Sequence, residues 1–397
     1  MPEKSRCVDV VVIGAGAAGL MCAHTAGYRG RDVLVVDHAN KAGKKILMSG
    51  GGRCNFTNMN TAPANFISAN PHFCISALKR YTPAMFLELV ERHGIDWCEK
   101  GPGQLFCQDS SKDILNLLLA ECDWAGAEVR LDTEVGQVEH GPGHWRLQVG
   151  DAAVECQSLV VATGGLSIPT LGASPFGYRL AEQFGLPVLP VRAALVPFTL
   201  HPDDKAWLAP LSGVSCEVAV SCNGQHFREP MLVTHRGLSG PAMLQISAYW
   251  QPGDALTVNL LPAHGDLLNT LIAERKQRPA GLPAAWLCQQ LPRRLASALV
   301  TRHQWDRPFQ EMSNTALEHM VSTLQRWSLV PAGTEGYRTA EVTLGGVATD
   351  AISSQTFEAR DVPGLFFIGE VLDVTGQLGG YNFQWAWASG FCAGQVV

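Results

Sequence analysis

No run of 18 or more apolar residues occurs in the 397-residue chain, so no helical membrane span is expected. Basic residues are not in excess. Thirty Lys and Arg stand against 36 Asp and Glu, a formal net charge of −6. A nucleic-acid-binding domain ordinarily carries a basic footprint. None shows in the totals, so no nucleic-acid partner is expected, although a local basic patch is compatible with them. Cysteine occurs twelve times but never as Cys-x-x-Cys, and no spacing matches a zinc site. No metal is expected. A chain of this length buries a large core without disulfide staples, so the cysteines read as reduced core thiols of a cytoplasmic protein. Lys4 and Arg6 ahead of Val8 only superficially resemble the start of a signal peptide. Asp9, Gly14, Gly16 and Gly19 break the apolar run that a signal would need.

What the chain does have is glycine, 40 residues of it, which suits tight turns and close approaches of backbone to ligand. Its length suggests two or three domains. Val8 to Ile13 reads as a buried parallel strand, Ala17 to Tyr28 as a helix and Asp32 to Val36 as a second strand. Residues 38–70 read as loop, and residues 72–93 and 110–125 as helix. Glu128 to Val138 and His144 to Val154 read as a strand meander, followed by a buried strand from Ser158 to Thr163. Residues 186–261 are strand-like, residues 263–327 helical, and a strand at Gly364–Ile368 precedes a final helix from Gly379. Both ends of the chain share one βαβ style and the middle does not. The expected architecture is α/β, a split Rossmann-type domain (residues 1–190 and 341–397). A small β-barrel-like insert (191–262 and 328–340) carries a nested helical subdomain (263–327).

The first turn, Gly14-Ala15-Gly16-Ala17-Ala18-Gly19, is a G-x-G-x-x-G between a strand and a helix, with Asp37 closing the next strand. That context is what the motif requires. Gly14 permits the turn, Gly16 lets backbone approach a pyrophosphate, and Gly19 lets helix pack on strand. Asp37 accepts from an adenosine ribose and disfavours a 2′-phosphate. Thr163-Gly164-Gly165 ends one later strand and Gly369-Glu370 another, and both match elements that return the chain to a flavin dinucleotide. Together the three point to non-covalent FAD. There is no second G-x-G-x-x-G, so any NAD(P)H serves as a transient electron donor.

The chain also carries Ala42-Gly-Lys44-Lys45-Ile-Leu-Met-Ser49-Gly50-Gly51-Gly52-Arg53-Cys54-Asn55-Phe-Thr57-Asn58, Thr234-His235-Arg-Gly-Leu-Ser-Gly-Pro241, Glu341-Val-Thr343-Leu-Gly-Gly346 and Gly369–Asn382. Over these motifs and nearly its whole length it resembles the BaiN-like, aminoacetone oxidase family of bacterial FAD-binding oxidoreductases. The resemblance implies the three modules above and flavin chemistry on a small organic substrate, and it leaves the substrate open. It also implies that amides of the last helix, at Gly380, Tyr381, Asn382 and Phe383, face the flavin N1/O2 edge. Glu370 and Asp373 would meet ribityl hydroxyls, and Val135 would touch adenine through its backbone.

The plainer readings are weighed beside these. Lys44, Lys45 and Arg53 supply cations near a pyrophosphate, or form a solvated loop, which fits Lys45 better than Arg53. Cys54 has no partner thiol at redox spacing. Arg53, His235 and Thr343 are weak catalytic candidates, His235 being more simply structural, and Trp385 and Trp387 read as core. An RNA-modifying flavoenzyme is the alternative. It would need a basic face, for which Arg275, Lys276, Arg278, Arg293, Arg294 and Arg302 are the candidates; a solvated helix surface is the simpler account of them. A non-catalytic flavin sensor is a third class. Oligomeric state is left open.

Overall fold

Val10 to Ile13 and Val33 to Val36 are wholly buried, as continuous apolar runs must be when both faces of a sheet are covered. The computed structural model describes residues 6–397, so Lys4 lies outside them. The chain divides into two compact units. One holds the described residues up to Arg192 together with Val342–Val397, the other Ala193–Glu341.

In the first unit, strands Glu128–Arg130, Val33–Val36, Arg6–Ile13, Ala152–Val161 and Leu365–Phe367 lie parallel in that order. The early half of Ala152–Val161 also pairs antiparallel with His144–Val149, which pairs with Val135–Gly141. The meander expected from Glu128 is therefore divided. Asp132, in the left-handed region at φ +51°, separates the parallel strand from the antiparallel pair. The separate strand expected at Ser158 is the far end of one ten-residue strand. Residues 72–93 form two helices, Cys74–Arg80 and Pro83–Arg92, because Pro83 disfavours helix at Thr82. The supposed loop 38–70 contains the strand Asn55–Asn58, which pairs with Gln104–Cys107, itself paired with Trp97–Gly101. That small sheet lacked a sequence signal because its strands are short.

The first helix, Ala17–Gly27, is buried on nearly every side. The last helix, Tyr381–Gly394, packs on it through small residues. A Cβ on Gly390 would sit 2.5 Å from the Ala18 carbonyl oxygen, and one on Gly394 would sit 2.8 Å from that of Cys22. Trp385 and Trp387 are buried, their indole N–H groups donating to the Gly369 and Phe56 carbonyls.

The second unit is an antiparallel seven-stranded sheet in the order Trp327–Leu329, Leu256–Asn259, Ser215–Cys222, Gln225–Val233, Gly237–Ser239, Phe198–Thr199, Gly333–Thr334. Its two edge strands are joined by Val330–Ala332 alone. Three residues span little more than about 10 Å, so the sheet must curl until its edges approach. Helices Leu267–Gln277, Pro283–Gln290, Arg293–His303 and Asn314–Gln325 share one hydrophobic core with it.

A candidate dinucleotide cradle

The turn after the first strand is built on backbone contacts. Gly14 has φ +113°, and a Cβ there would lie 2.4 Å from the Ala162 carbonyl oxygen. A Cβ on Gly19 would lie 1.9 Å from the Gly14 oxygen, so the helix presses directly on the turn. Gly16 is the opposite case, with nothing within 4 Å of an added Cβ. It caps the first helix, and no side chain satisfies the amides there. Open space in front of bare helix N–H groups fits a pyrophosphate.

Asp37 stands beside this space. Its two oxygens accept from the N–H groups of Ala15 and Ala39, each at 2.8 Å. A carboxylate has about four acceptor positions, so two remain for ribose hydroxyls. The Gly43 N–H donates to the Ala15 oxygen at 2.9 Å, pinning the helix Lys44–Met48 next to the turn. Beyond it Gly50 and Gly51 are left-handed, and neither Gly51 nor Gly52 has a neighbour within 4 Å of an added Cβ. The Ser49 hydroxyl donates to the Ile46 oxygen at 2.7 Å. Arg53 is exposed. Cys54 is buried, with its thiol pushed well above the usual range by desolvation, which disfavours a redox thiolate. All twelve cysteines are free thiols.

Lys45 is not a solvated lysine. Its Nζ donates to Glu370 Oε2 at 2.8 Å and to the hydroxyl of Ser167 at 2.5 Å. Glu370 Oε1 accepts from the Thr343 N–H at 2.9 Å and from the Ser167 hydroxyl at 3.3 Å. The Thr343 hydroxyl accepts from the Leu166 N–H at 2.8 Å. This cluster draws on four separate stretches of sequence. Ser167 is fully buried and sits in no motif, so sequence reasoning missed it. Only its position two residues past Gly164-Gly165 hinted at it.

The other expected residues are placed as follows. The Thr163 hydroxyl is enclosed, without a partner among the described residues, and lies against Gly177, where an added Cβ would sit 2.2 Å away. Gly164 is left-handed at φ +70°, and a Cβ on Gly165 would meet the Thr343 hydroxyl at 2.5 Å. Asp373 is buried, and desolvation holds its carboxyl above the ordinary range; its Oδ2 accepts from the Ala69 N–H at 2.7 Å. Asn382 ties down the turn before the last helix, accepting from the Gly376 N–H and donating to the Gly376 oxygen, both at 2.8 Å. Gly380, at φ +95°, caps the last helix and offers no side-chain cap bond of its own. The Phe383 ring stacks on Trp387. Val135 pairs with Val149 at the sheet edge.

His235 belongs to the second unit. It is exposed, at the tip of a turn closed by the Thr234 hydroxyl, which accepts from the N–H groups of Arg236 and Gly237. Four of the six basic residues of the helical stretch are engaged rather than merely solvated. Arg275 donates to the Met312 oxygen, Arg278 pairs with Glu274, Arg294 donates to the Ser212 and Pro210 oxygens, and Arg302 lies over Trp207 and near Asp204.

A family model described as HI0933-like protein Rossmann domain matches residues 8–396. The chain is 52% identical to a ribosomal RNA dihydrouridine synthase of Escherichia coli K12, over 98% of its own length and 97% of that protein's. It is 28% identical to a 3-dehydro-bile acid delta(4,6)-reductase of Clostridium scindens, over 97% and 98% of the two lengths. A solved 3-ketosteroid-delta4-(5alpha)-dehydrogenase from Rhodococcus jostii RHA1 superposes over 98% of this chain and 97% of its own, with a TM-score of 0.50 at 14% identity, a likeness of fold. No helix among the described residues is long and apolar enough to cross a membrane.

Proposed function

Since the chain belongs to the HI0933-like Rossmann-domain family of flavoprotein oxidoreductases, we propose that it is an FAD-dependent reductase of ribosomal RNA that converts a uridine to dihydrouridine. The observation that carries this reading is the identity with a ribosomal RNA dihydrouridine synthase across essentially the whole of both chains. It favours the RNA-modifying alternative over a small organic substrate with no nucleic-acid partner. The reaction adds two electrons and two protons across the uridine C5=C6 bond, with NADH or NADPH as the electron source.

The cradle supports the cofactor half of the reading. FAD, when bound, supplies the two-electron chemistry. The chain's own residues hold and orient it. The bare amides at Gly16 and beyond take the pyrophosphate, and Asp37 takes the ribose. The N-terminus of the last helix, opened by Gly380, offers partial positive charge to the ring edge where negative charge collects. Lys45 is a fixed cation, held by Glu370 and Ser167 rather than wandering in solvent. A single dinucleotide motif leaves no second nucleotide domain, so the nicotinamide visits and leaves.

The test uses ribosomal RNA from cells that lack this protein. Purified protein with NADH or NADPH is expected to convert one uridine to a nucleoside heavier by two hydrogens, read by mass spectrometry of the digested RNA. Reduction of a conjugated steroid ketone, with no change in the RNA, would replace this reading with that of a small-molecule reductase.

A further inference from the structure

The second unit contains a cleft of about 640 Å³. Its walls come from Ser212 and Gly213, from the end of strand Gln225–Val233 with the His235 turn, and from Glu335 to Thr339. Two arginines line it, Arg236 and Arg338. Arg294 is not among the lining residues; it donates to the Ser212 oxygen at 3.3 Å and to the Pro210 oxygen. His235 and Arg338 are exposed and have no side-chain partner among the described residues. One carboxylate lines the cleft. Glu335 lies 3.6 Å from Arg236, too far for a close ion pair. Leu232 and Val233 add an apolar wall.

Charge is distributed to match. Ala193–Glu341 has twelve Lys and Arg and twelve Asp and Glu, so the net −6 falls entirely on the rest of the chain. Ten of the twelve basic residues are arginine, whose planar fork suits phosphate oxygens and whose face suits a base. A cleft with two guanidinium groups, an imidazole, one carboxylate and an aliphatic wall matches a nucleotide, anionic at its phosphate and flat and apolar at its base.

The geometry points to this cleft as the docking site for a strand of the substrate RNA, with Arg236 and Arg338 on phosphate oxygens and a base against Leu232. The assignment rests on the reading of the protein as an RNA reductase. Glu335 restrains Arg236 and sets how tightly the strand is held.

The experiment measures binding of the flavin-loaded protein to a single-stranded uridine-rich oligonucleotide by fluorescence anisotropy across a salt series. Arg338→Ala and Arg236→Ala are each expected to weaken binding roughly tenfold and to flatten the salt slope by about one unit. Arg338→Lys should restore the slope. Glu335→Gln should tighten binding several-fold, a gain that misfolding cannot produce, and thermal melts with circular dichroism report folding in each variant. Unchanged affinity and slope in both alanine variants, or weaker binding by Glu335→Gln, overturns the cleft assignment. So does equal binding of poly-L-glutamate, which would make this a site for acidic polypeptide. Dihydrouridine formation is followed in parallel. If wild type modifies ribosomal RNA while the variants bind normally, the cleft assignment falls and the reaction stands. If binding depends on the arginines but no dihydrouridine forms, the reaction falls and the cleft stands.

Discussion

The two units bury their strands by different means. In the first, Val33–Val36 is buried at every position. In the second, Ser215–Cys222 alternates, with Val218, Val220 and Cys222 inside and Glu217 exposed. A sheet covered on both faces leaves function to its strand ends and to bare backbone, where the glycine cradle lies. A curled sheet with one face outward can carry function on side chains, as the arginine cleft does. The first unit should therefore be sensitive to single added atoms, and the second to changes of charge.

The sharpest way to break this comparison is at two glycines three positions apart. Gly19→Ala drives a methyl group into the Gly14 carbonyl, with 1.9 Å available. It is expected to cost about 3 kcal/mol or more and to yield little folded protein. Gly16→Val meets open space and should fold, losing about 1 kcal/mol because valine caps helices poorly. Its side chain fills the pyrophosphate's approach, so it should purify colourless. Thermal melts and flavin content check both. A yellow Gly16→Val protein would mean that the open space is not a phosphate site.

Acid should reach the first unit through His24. The ring is buried, its Nδ1 has no partner among the described residues, and its Nε2 meets the Met21 sulfur at 3.0 Å. Desolvation lowers its pKa to about 4, against an opposing pull from Glu121. The unfolded chain therefore takes up the proton first as pH falls. Stability present above about pH 6.5 is lost progressively down to about pH 4, by about 3 kcal/mol in all. Glu121 adds to this at lower pH. Hydrogen bonds from His93 and Tyr28 hold its carboxyl below the usual range despite burial, so its contribution disappears as it protonates. The lowered histidine of the second unit, His303, is only half-buried, which predicts a flatter response there. Denaturant melts from pH 7 to 4 should show a slope that His24→Leu reduces, and limited proteolysis should cut the first unit first. An unchanged slope in His24→Leu would remove His24 as the cause.

The smallest effect is expected at the last helix. Tyr381 is its first residue, a position that accepts proline without breaking the helix. Tyr381→Pro removes the side chain and one amide donor, while Tyr381→Ala removes the side chain, whose ring meets Phe66 edge-on, and keeps the amide. A helix N-terminus stabilises a nearby anion by about 0.3–1 kcal/mol, and for a two-electron couple 1.4 kcal/mol is about 30 mV. The flavin midpoint potential of the proline variant should lie below that of the alanine variant by roughly 10–20 mV at equal loading. Equal potentials would leave the helix a purely structural role.

Much of this arrangement is legible in the chain itself. The first strand, the glycine turn, the first helix and Asp37 are contiguous, so their geometry follows from local steric rules. The same holds for Gly380 and the helix it caps. The small sheet at Asn55–Asn58 was illegible because two of its strands are four residues long and draw their pairing from residues some fifty positions away. The partners of Lys45 were out of reach for a related reason. A lysine in a Gly-rich loop looks solvated until its partner is known, and Glu370 lies 325 positions further on.

The sequence by itself determined a Rossmann-type α/β fold with a dinucleotide turn, because a turn that only glycine can make is written in consecutive residues. Only the tertiary structure decided which charges meet. It set Lys45 against Ser167 and Glu370, and it gathered Arg236 and Arg338 around one cleft with a single carboxylate. The physical reason is range. Steric limits on φ and ψ act within a residue or two, whereas an ion pair or a charged cleft depends on which distant segments the buried core draws together.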